Sequence, residues 1–328
     1  MKKAIITGIE ASLPDYVLTN DELSTMVETS DEWIMSHTGI KERRILKTEG
    51  EGTSYMGADA VNKLLAATST APEQVDMVIC ATVSPDMPFP ATANIISDKC
   101  GIRNAWGYDI NAGCSGFIFS FTTAASFIES GRAKKIVLVC GEKMSSITDY
   151  TDRTTCPLFG DAAVAMLIEP TEDESLGLQD SVLHVDGVGR HYLYQYAGGS
   201  AHPASHQTVD DHKHFVYQNG QVVFKHAVTN MADVSVKIME RNNLTADDIA
   251  YLIPHQANLR IIDATGRRMG LSTDKILIDI EKFGNTAGTS IPLALWDFKD
   301  KFKKSDALVC SAFGAGFTWG SIYYRWAY

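Results

Sequence analysis

Short apolar runs rich in β-branched residues recur along the chain, separated by longer stretches whose apolar residues return every three to four positions. The short runs fall at residues 3–8, 75–82, 106–110, 135–140, 162–168, 251–253, 275–280, 307–312 and 320–325, and each is expected to be a strand. Strands alternating with helical patterns predict an α/β protein whose helices pack on sheets. Thr19-Asn-Asp-Glu-Leu23 sets a capping hydroxyl ahead of an acidic first turn, which predicts a helix start. Trp106-Gly-Tyr-Asp-Ile-Asn-Ala-Gly-Cys-Ser-Gly-Phe reads as strand, tight turn and helix, with Cys114 in the first turn of that helix. The helix itself is apolar nearly all round, through Phe117, Ile118, Phe119, Phe121, Ala124, Ala125, Phe127 and Ile128, and stops at Ser130-Gly131. A helix without a polar face is expected to be buried on every side.

The pattern occurs twice. Asp109-Ile110 stands 31 residues before Cys140, and Asp279-Ile280 stands 31 residues before Cys310, with a glycine-containing turn, a helix and a strand between them in each case. Upstream, Val75-Asp-Met-Val-Ile-Cys matches Ile249-Ala-Tyr-Leu-Ile-Pro in pattern. Two copies of one αβ unit predict pseudo-symmetric halves, residues 1–172 and 173–328, whose turns converge at the centre.

Composition narrows the classes. Twenty-nine basic against 40 acidic residues leave a net charge of −11, which argues against non-specific nucleic-acid binding. No apolar stretch approaches the roughly 18 residues of a membrane span, and the run at residues 4–6 is too short for a signal sequence. The six cysteines are scattered without a C-x-x-C pair. Cys80, Cys140 and Cys310 each end a β-like run and are expected to be buried, reduced thiols in a cytoplasmic protein.

Three turns that follow strands carry the chemistry: residues 111–116 with Cys114, 254–258 with His255 and 283–289 with Asn285. A thiol at a helix N-terminus lies near unpaired N–H groups and the positive end of the helix dipole, which favour thiolate. A thiol, an imidazole and a carboxamide that converge suit acyl chemistry, the thiolate attacking a thioester while His and Asn donate to an oxyanion or enolate. Gly116 two places after Cys114 also admits a hydrolase elbow, with Asp152 or Asp161 as the acid. Gly314-Ala-Gly316 lacks the following helix and acid of a dinucleotide loop. His202, His206, His212 and His214 with Asp210 and Asp211 lack regular ligand spacing, and read as a surface loop with no metal.

Residues 109–117, Pro254-His-Gln-Ala-Asn-Leu-Arg260, Gly284-Asn-Thr-Ala-Gly288 and Phe313-Gly-Ala-Gly-Phe-Thr-Trp-Gly320 resemble the β-ketoacyl-acyl-carrier-protein synthase III family. Thr29-Ser-Asp-Glu-Trp-Ile34, Thr38-Gly-Ile40 and Tyr150-Thr-Asp-Arg153 add to the resemblance, which runs over essentially the whole chain. It implies a homodimer of the thiolase-like fold, two αβ halves in a layered α-β-α-β-α core. It implies no cofactor beyond the substrates, acyl-CoA (acetyl-CoA foremost) and malonyl-acyl carrier protein, which condense with loss of CO2 to start type II fatty acid synthesis. Cys114 would take the acyl group, and His255 with Asn285 would stabilise the malonyl enolate. Backbone N–H groups of Cys114 and Ala315 would form the oxyanion hole, Ala315 standing where the family usually has Gly. Trp33 and Arg153 would sandwich the adenine of CoA, while Gly220, Phe224 and Asn258 would line the pantetheine channel. Phe89 would cross to the partner's acyl pocket. His37 stands where the family commonly has Arg. Gln256, Lys225, Arg260 and Arg267, beside Arg268, would meet the acidic carrier protein.

Within that fold Asn285 opposes the elongating synthases, which pair Cys with two histidines. Ser311-Ala-Phe-Gly lacks the second cysteine of biosynthetic thiolases, and no acid matches the catalytic Glu of hydroxymethylglutaryl-CoA synthase. A secondary-metabolite enzyme with the same triad and another acyl donor is the main alternative, a thiol hydrolase the next.

Overall fold

The computed structural model describes residues 2–328. Two sheets organise the core. The five-stranded sheet runs in the order Lys3–Ser12, Asp161–Thr171, Ile136–Lys143, Met77–Ala81, Trp106–Ile110. The four-stranded sheet runs Gly177–Val185, Thr318–Arg325, Ala307–Gly314, Tyr251–Pro254. Pairing in the first is antiparallel, antiparallel, then parallel twice; in the second it is antiparallel, antiparallel, then parallel. The same strand order and the same senses recur in the two parts of the chain, which is the repeat seen in the sequence.

Strand alternation decides the layers, because successive side chains point to opposite faces. Met77, Ile79, Leu138 and Met166 face inward, where Phe117, Ile118 and Phe121 of helix Gly116–Glu129 meet them, along with Ile291, Leu293 and Leu295 of helix Ser290–Asp297. Ile253, Leu308, Cys310 and Ile322 of the second sheet close this cluster from the other side. The outward residues Val78, Cys80, Val137 and Val139 are covered by Val61, Leu64 and Ile96 from helices Thr53–Ala67 and Thr92–Lys99. Leu252, Val309 and Tyr323 are covered by Val234, Ile238 and Ile262 from helices Gly220–Arg241 and Leu259–Arg268. The result is the α-β-α-β-α layering of a thiolase-like fold. No helix among the described residues is long and apolar enough to cross a membrane.

Local signals act where the sequence places them. Thr19 Oγ1 accepts from Glu22 N at 3.2 Å, although the helix it caps is only Asn20–Leu23. Ser130 ends the central helix, and Gly131 follows with φ +73. That helix is not buried all round: Phe119 and Phe127 are only half-buried and Ser126 is exposed. Cys80, Cys140 and Cys310 are buried and unpaired, as expected.

Three expectations change. Residues 275–280 form no strand and touch their neighbour through the single bridge Leu252 to Ile276. The reason is a side chain: Gln256 Nε2 donates to Leu277 O at 3.1 Å, and its Oε1 accepts from Asp279 N and Ile280 N at 3.2 Å each. Backbone groups held by a side chain are not free to extend a ladder. Strand Gly177–Val185, at a sheet edge, has no counterpart among the sequence-derived strands. Finally, the histidine-rich segment is no plain surface loop: Leu193–Gln195 and Val216–Gln218 pair antiparallel across it, with helix His206–Asp210 between them.

Candidate active site

Cys114 lies in the 3-10 turn Gly113–Ser115, which runs straight into helix Gly116–Glu129. Gly113 has φ +56, and a Cβ there would sit 2.7 Å from Ala315 O and 2.8 Å from Ala315 N. From the opposite side, a Cβ on Gly314 would sit 2.8 Å from Cys114 Cβ. Both positions need glycine because two backbones touch there with no space between them. Ser115 Oγ donates to Thr318 O at 3.1 Å and Thr318 Oγ1 to Ala112 O at 2.7 Å, fastening the contact. As a result the backbone N–H groups of Cys114 and Ala315 both lie at the Cys114 sulfur and favour its ionised form. Two preset donors at a nucleophile are the parts of an oxyanion hole.

These donors pull the thiol toward ionisation, as the sequence predicts, but they do not prevail. Burial, reinforced by the Glu142 carboxyl, pushes Cys114 up to about 12. At neutral pH the resting residue is therefore a thiol. Glu142 is fully buried and accepts from Ser84 Oγ at 2.6 Å, from Val83 N and Ser84 N at 3.1 Å and from Thr82 Oγ1 at 3.2 Å. Burial raises its carboxyl to about 7 against the pull of those donors.

His255 follows strand Tyr251–Pro254 and is 2% exposed. Burial drives its imidazole down to about 3, so it is neutral at any physiological pH. Its Nδ1 lies 2.7 Å from Ser290 Oγ. Asn285 is held through its backbone, donating to Leu158 O at 2.8 Å and accepting from Gly160 N at 3.1 Å. Its Oδ1 accepts from Ala287 N at 2.9 Å, which leaves the amide Nδ2 as the end free to donate.

A cavity of about 950 Å³ joins these parts, with Cys114, His255, Asn285 and Ala315 all in its wall. Val83, Met144, Ile147 and Phe159 give it apolar surface beside Cys114, and Leu193, Tyr194 and Val216 of the hairpin form another wall. Toward the mouth stand Trp33, His37, Gly220, Phe224, Asn258 and Arg260. Ser30 Oγ caps the helix that presents Trp33, accepting Trp33 N at 3.1 Å. His37 stacks on Trp33 with ring centroids 4.3 Å apart, and Arg153 Cζ approaches Trp33 at 5.5 Å from the ring centroid. A base stacked between Trp33 and Arg153 would require that guanidinium to swing outward.

The chain matches the family profile described as 3-oxoacyl-[acyl-carrier-protein] synthase III over residues 108–187, and the C-terminal profile of the same description over residues 239–326. It is 52% identical over 325 residues to β-ketoacyl-[acyl-carrier-protein] synthase III 2 of Bacteroides thetaiotaomicron, covering 99% of this chain and 97% of the relative. The chain belongs to the β-ketoacyl-acyl-carrier-protein synthase III family. The crystal structure of 3-oxoacyl-[acyl-carrier-protein] synthase III from Aquifex aeolicus VF5 superposes with a TM-score of 0.90 at 35% identity, covering 99% of this chain and 100% of that one. The priming β-ketosynthase of the R1128 polyketide pathway also superposes at 0.90, at 28% identity, covering 99% and 96%.

Against the resemblance, most residues expected at a synthase III site do line one cavity. Two do not. Phe89 is 83% exposed and lies outside its own chain's cavity. Gln256 is 1% exposed and its amide is consumed by Pro254 O, Leu277 O, Asp279 N and Ile280 N, so it cannot meet a carrier protein. This corrects the surface role expected for it. Lys225 is exposed, Arg267 borders a groove of about 310 Å³ with Arg260 and Phe224, and Arg268 is paired with Asp233 at 3.3 Å. In the histidine-rich segment His202 stacks on Tyr196, His212 pairs with Asp149 at 2.6 Å, and His214 bonds Thr208 at 2.9 Å. Glu142, Ser290 and the hairpin wall escaped the sequence because each acts through a tertiary contact without a local motif.

The buried thiol makes a kinetic prediction. Alkylation of Cys114 by iodoacetamide, followed by mass spectrometry, should accelerate about tenfold per pH unit from pH 7 to 10 without a plateau, since only thiolate reacts. No inflection should appear near pH 6.5, because His255 is not titrating there. Stability follows the same group: below the usual histidine pKa the unfolded chain binds a proton that the folded one refuses, so acidification from pH 6.5 toward 3 destabilises the fold. A rate plateau below pH 8 would show that the donors at the sulfur outweigh its burial.

Proposed function

We propose that this protein is a condensing acyltransferase that joins an acyl-CoA primer, acetyl-CoA foremost, to malonyl-acyl carrier protein and so starts type II fatty acid synthesis. The observation that carries this reading is one cavity holding a thiol with two backbone donors and, in the same wall, a neutral imidazole and a carboxamide. The thiol of Cys114 displaces CoA from the primer, its proton leaving with the CoA sulfur, while the N–H groups of Cys114 and Ala315 hold the oxyanion. His255 and Asn285 then bind the malonyl thioester carbonyl. Loss of CO2 leaves an enolate on that oxygen, whose carbon attacks the acyl-Cys114 carbonyl and expels the thiolate. Neutral donors suit this step, since they stabilise the enolate without protonating its carbon.

The hydrolase alternative lacks its acid. Asp152 is bonded to Thr154 and Thr155, Asp161 to Leu46 N and Ser145, and neither reaches His255. The likeness to a polyketide priming synthase keeps a secondary-metabolite primer as the second reading. Six unpaired thiols suit a reducing cytoplasm.

Two partners belong to the proposal. Trp106–Ile110 is one of the two edge strands of its sheet, and Trp106 (48% exposed), Met87 (45%) and Phe89 (83%) leave apolar surface uncovered beside it. An unpaired edge flanked by exposed apolar groups is where a second copy would pair, bringing Phe89 toward the partner's cavity. The groove between Arg260 and Arg267, with Lys225 nearby, offers positive charge to an acidic carrier protein on a chain that is otherwise strongly negative.

Cys114→Ala should abolish transfer from acetyl-CoA, read as loss of the acetyl mass increase, yet still decarboxylate malonyl thioester. His255→Ala and Asn285→Ala should acylate normally and lose decarboxylation by on the order of a hundredfold. If all three fail at one step, the division of roles is wrong. Arg260→Glu should raise KM for the carrier substrate about tenfold with acyl-CoA kinetics unchanged. Gln256→Ala should instead lower the urea midpoint and leave the ratio of the two KM values alone. Phe89→Asp should shift the sedimenting species from dimer to monomer; a wild-type monomer at micromolar concentration would refute the pairing.

A further inference from the structure

His255 is neutral, so it carries one ring proton, and which nitrogen holds it decides what the residue can do. The hydrogen bonds of Ser290 decide between the two. Ser290 is 1% exposed and is the first residue of helix Ser290–Asp297. Its Oγ accepts from Gln256 N at 3.3 Å, a bond in which the peptide nitrogen can only donate. The other partner of Oγ is His255 Nδ1, at 2.7 Å. If Nδ1 carried the proton, the Ser290 hydroxyl would accept twice and leave its own hydrogen buried without an acceptor, which is costly. With the hydroxyl donating to Nδ1, every proton at the junction has a partner. Nε2 then keeps the ring proton and is the nitrogen left to the cavity that His255 lines.

We infer that Ser290 is a positioning residue that fixes His255 as the Nε2–H tautomer, an obligate donor to the malonyl thioester carbonyl and not a base for Cys114. The inference rests on the condensing reading for its consequence, though the tautomer itself is independent of any reaction. It also explains the order of proton transfer: the Cys114 proton has no acceptor on His255 and must leave with the departing CoA sulfur. The same Ser290 oxygen bonds the backbone of Gln256, whose side chain organises residues 277–280. The tautomer is thus tied to the framework that shapes the site.

The test separates a hydroxyl from its shape. Ser290→Thr keeps the donor, and Ser290→Val matches Thr in volume without it. Malonyl-thioester decarboxylation should stay within about threefold of wild type in Ser290→Thr and fall about tenfold in Ser290→Val, the size expected for one lost hydrogen bond. Acetyl transfer to Cys114 and the urea midpoint should be alike in the two variants. In wild-type protein labelled with ¹⁵N-histidine, Nε2 should show the protonated shift and Nδ1 the unprotonated one, with the two mixing in Ser290→Val. Equal decarboxylation by Thr and Val, or a protonated Nδ1 in the wild type, overturns the inference. A wild type that acylates without decarboxylating would sink the condensing reading instead, while the nitrogen shifts would still decide the role of Ser290.

Discussion

The site depends on a close approach of two backbones, the turn at Gly113–Ser115 and the segment that follows strand Ala307–Gly314. Side chains cannot occupy that junction, because a Cβ at either Gly113 or Gly314 would overlap the opposite main chain. Only this proximity brings the N–H of Ala315 onto the same sulfur as the N–H of Cys114. The two strands of the repeat that feed the contact, Trp106–Ile110 and Ala307–Gly314, belong to different sheets. The oxyanion donors therefore form only when both sheets are docked on the central helices. Ser115 and Thr318 cross-link the junction in both directions, so the contact is enforced by the fold rather than left to ligand binding.

Around that junction the protein has removed charge. Cys114 rests as a thiol, His255 as neutral imidazole, and Asn285 carries none. A buried site with full charges would bear their desolvation throughout the cycle, whereas neutral dipoles cost little until an oxyanion appears between them. Glu142 is the exception. Its four donors all come from residues 82–84, so its first task is to hold that turn, whose Val83 forms part of the cavity wall. Its carboxyl also adds to the burial that pushes the Cys114 thiol up.

Much of this was legible in the sequence where one residue decides a local outcome. Thr19 and Gly131 act at helix ends because capping needs a hydroxyl or a permissive φ at one place. The layered core follows from strands whose two faces are both apolar. Residues 275–280 misled for a physical reason: Lys-Ile-Leu-Ile-Asp-Ile has strand-like composition, yet a distant glutamine claims its backbone. The same glutamine, in a motif beside His255, looked like part of a surface and proved to be interior. Strand Gly177–Val185 hid because Gln179, Asp180 and Ser181 interrupt it, which an edge position tolerates. The hairpin wall hid because its two three-residue strands are separated by a long insertion and neither carries a pattern alone.

The lost strand bears on assembly. Each half presents the same strand order, so a symmetric chain would expose two similar edges, and two open edges permit open-ended chains of copies. In the first half the terminal strand Trp106–Ile110 is complete, half-buried and unpaired on one side. In the second half the matching segment makes one bridge and then turns away, its backbone taken by Gln256. Of these two matching edges, the first alone keeps its backbone free along the whole strand. In the proposed dimer, pairing of that strand with its own copy would close a twofold arrangement and carry Phe89 of each chain toward the other's cavity. The interior glutamine that looked like a docking contact instead ends the matching strand of the second sheet, so the two halves differ at the edge where the proposed dimer would pair.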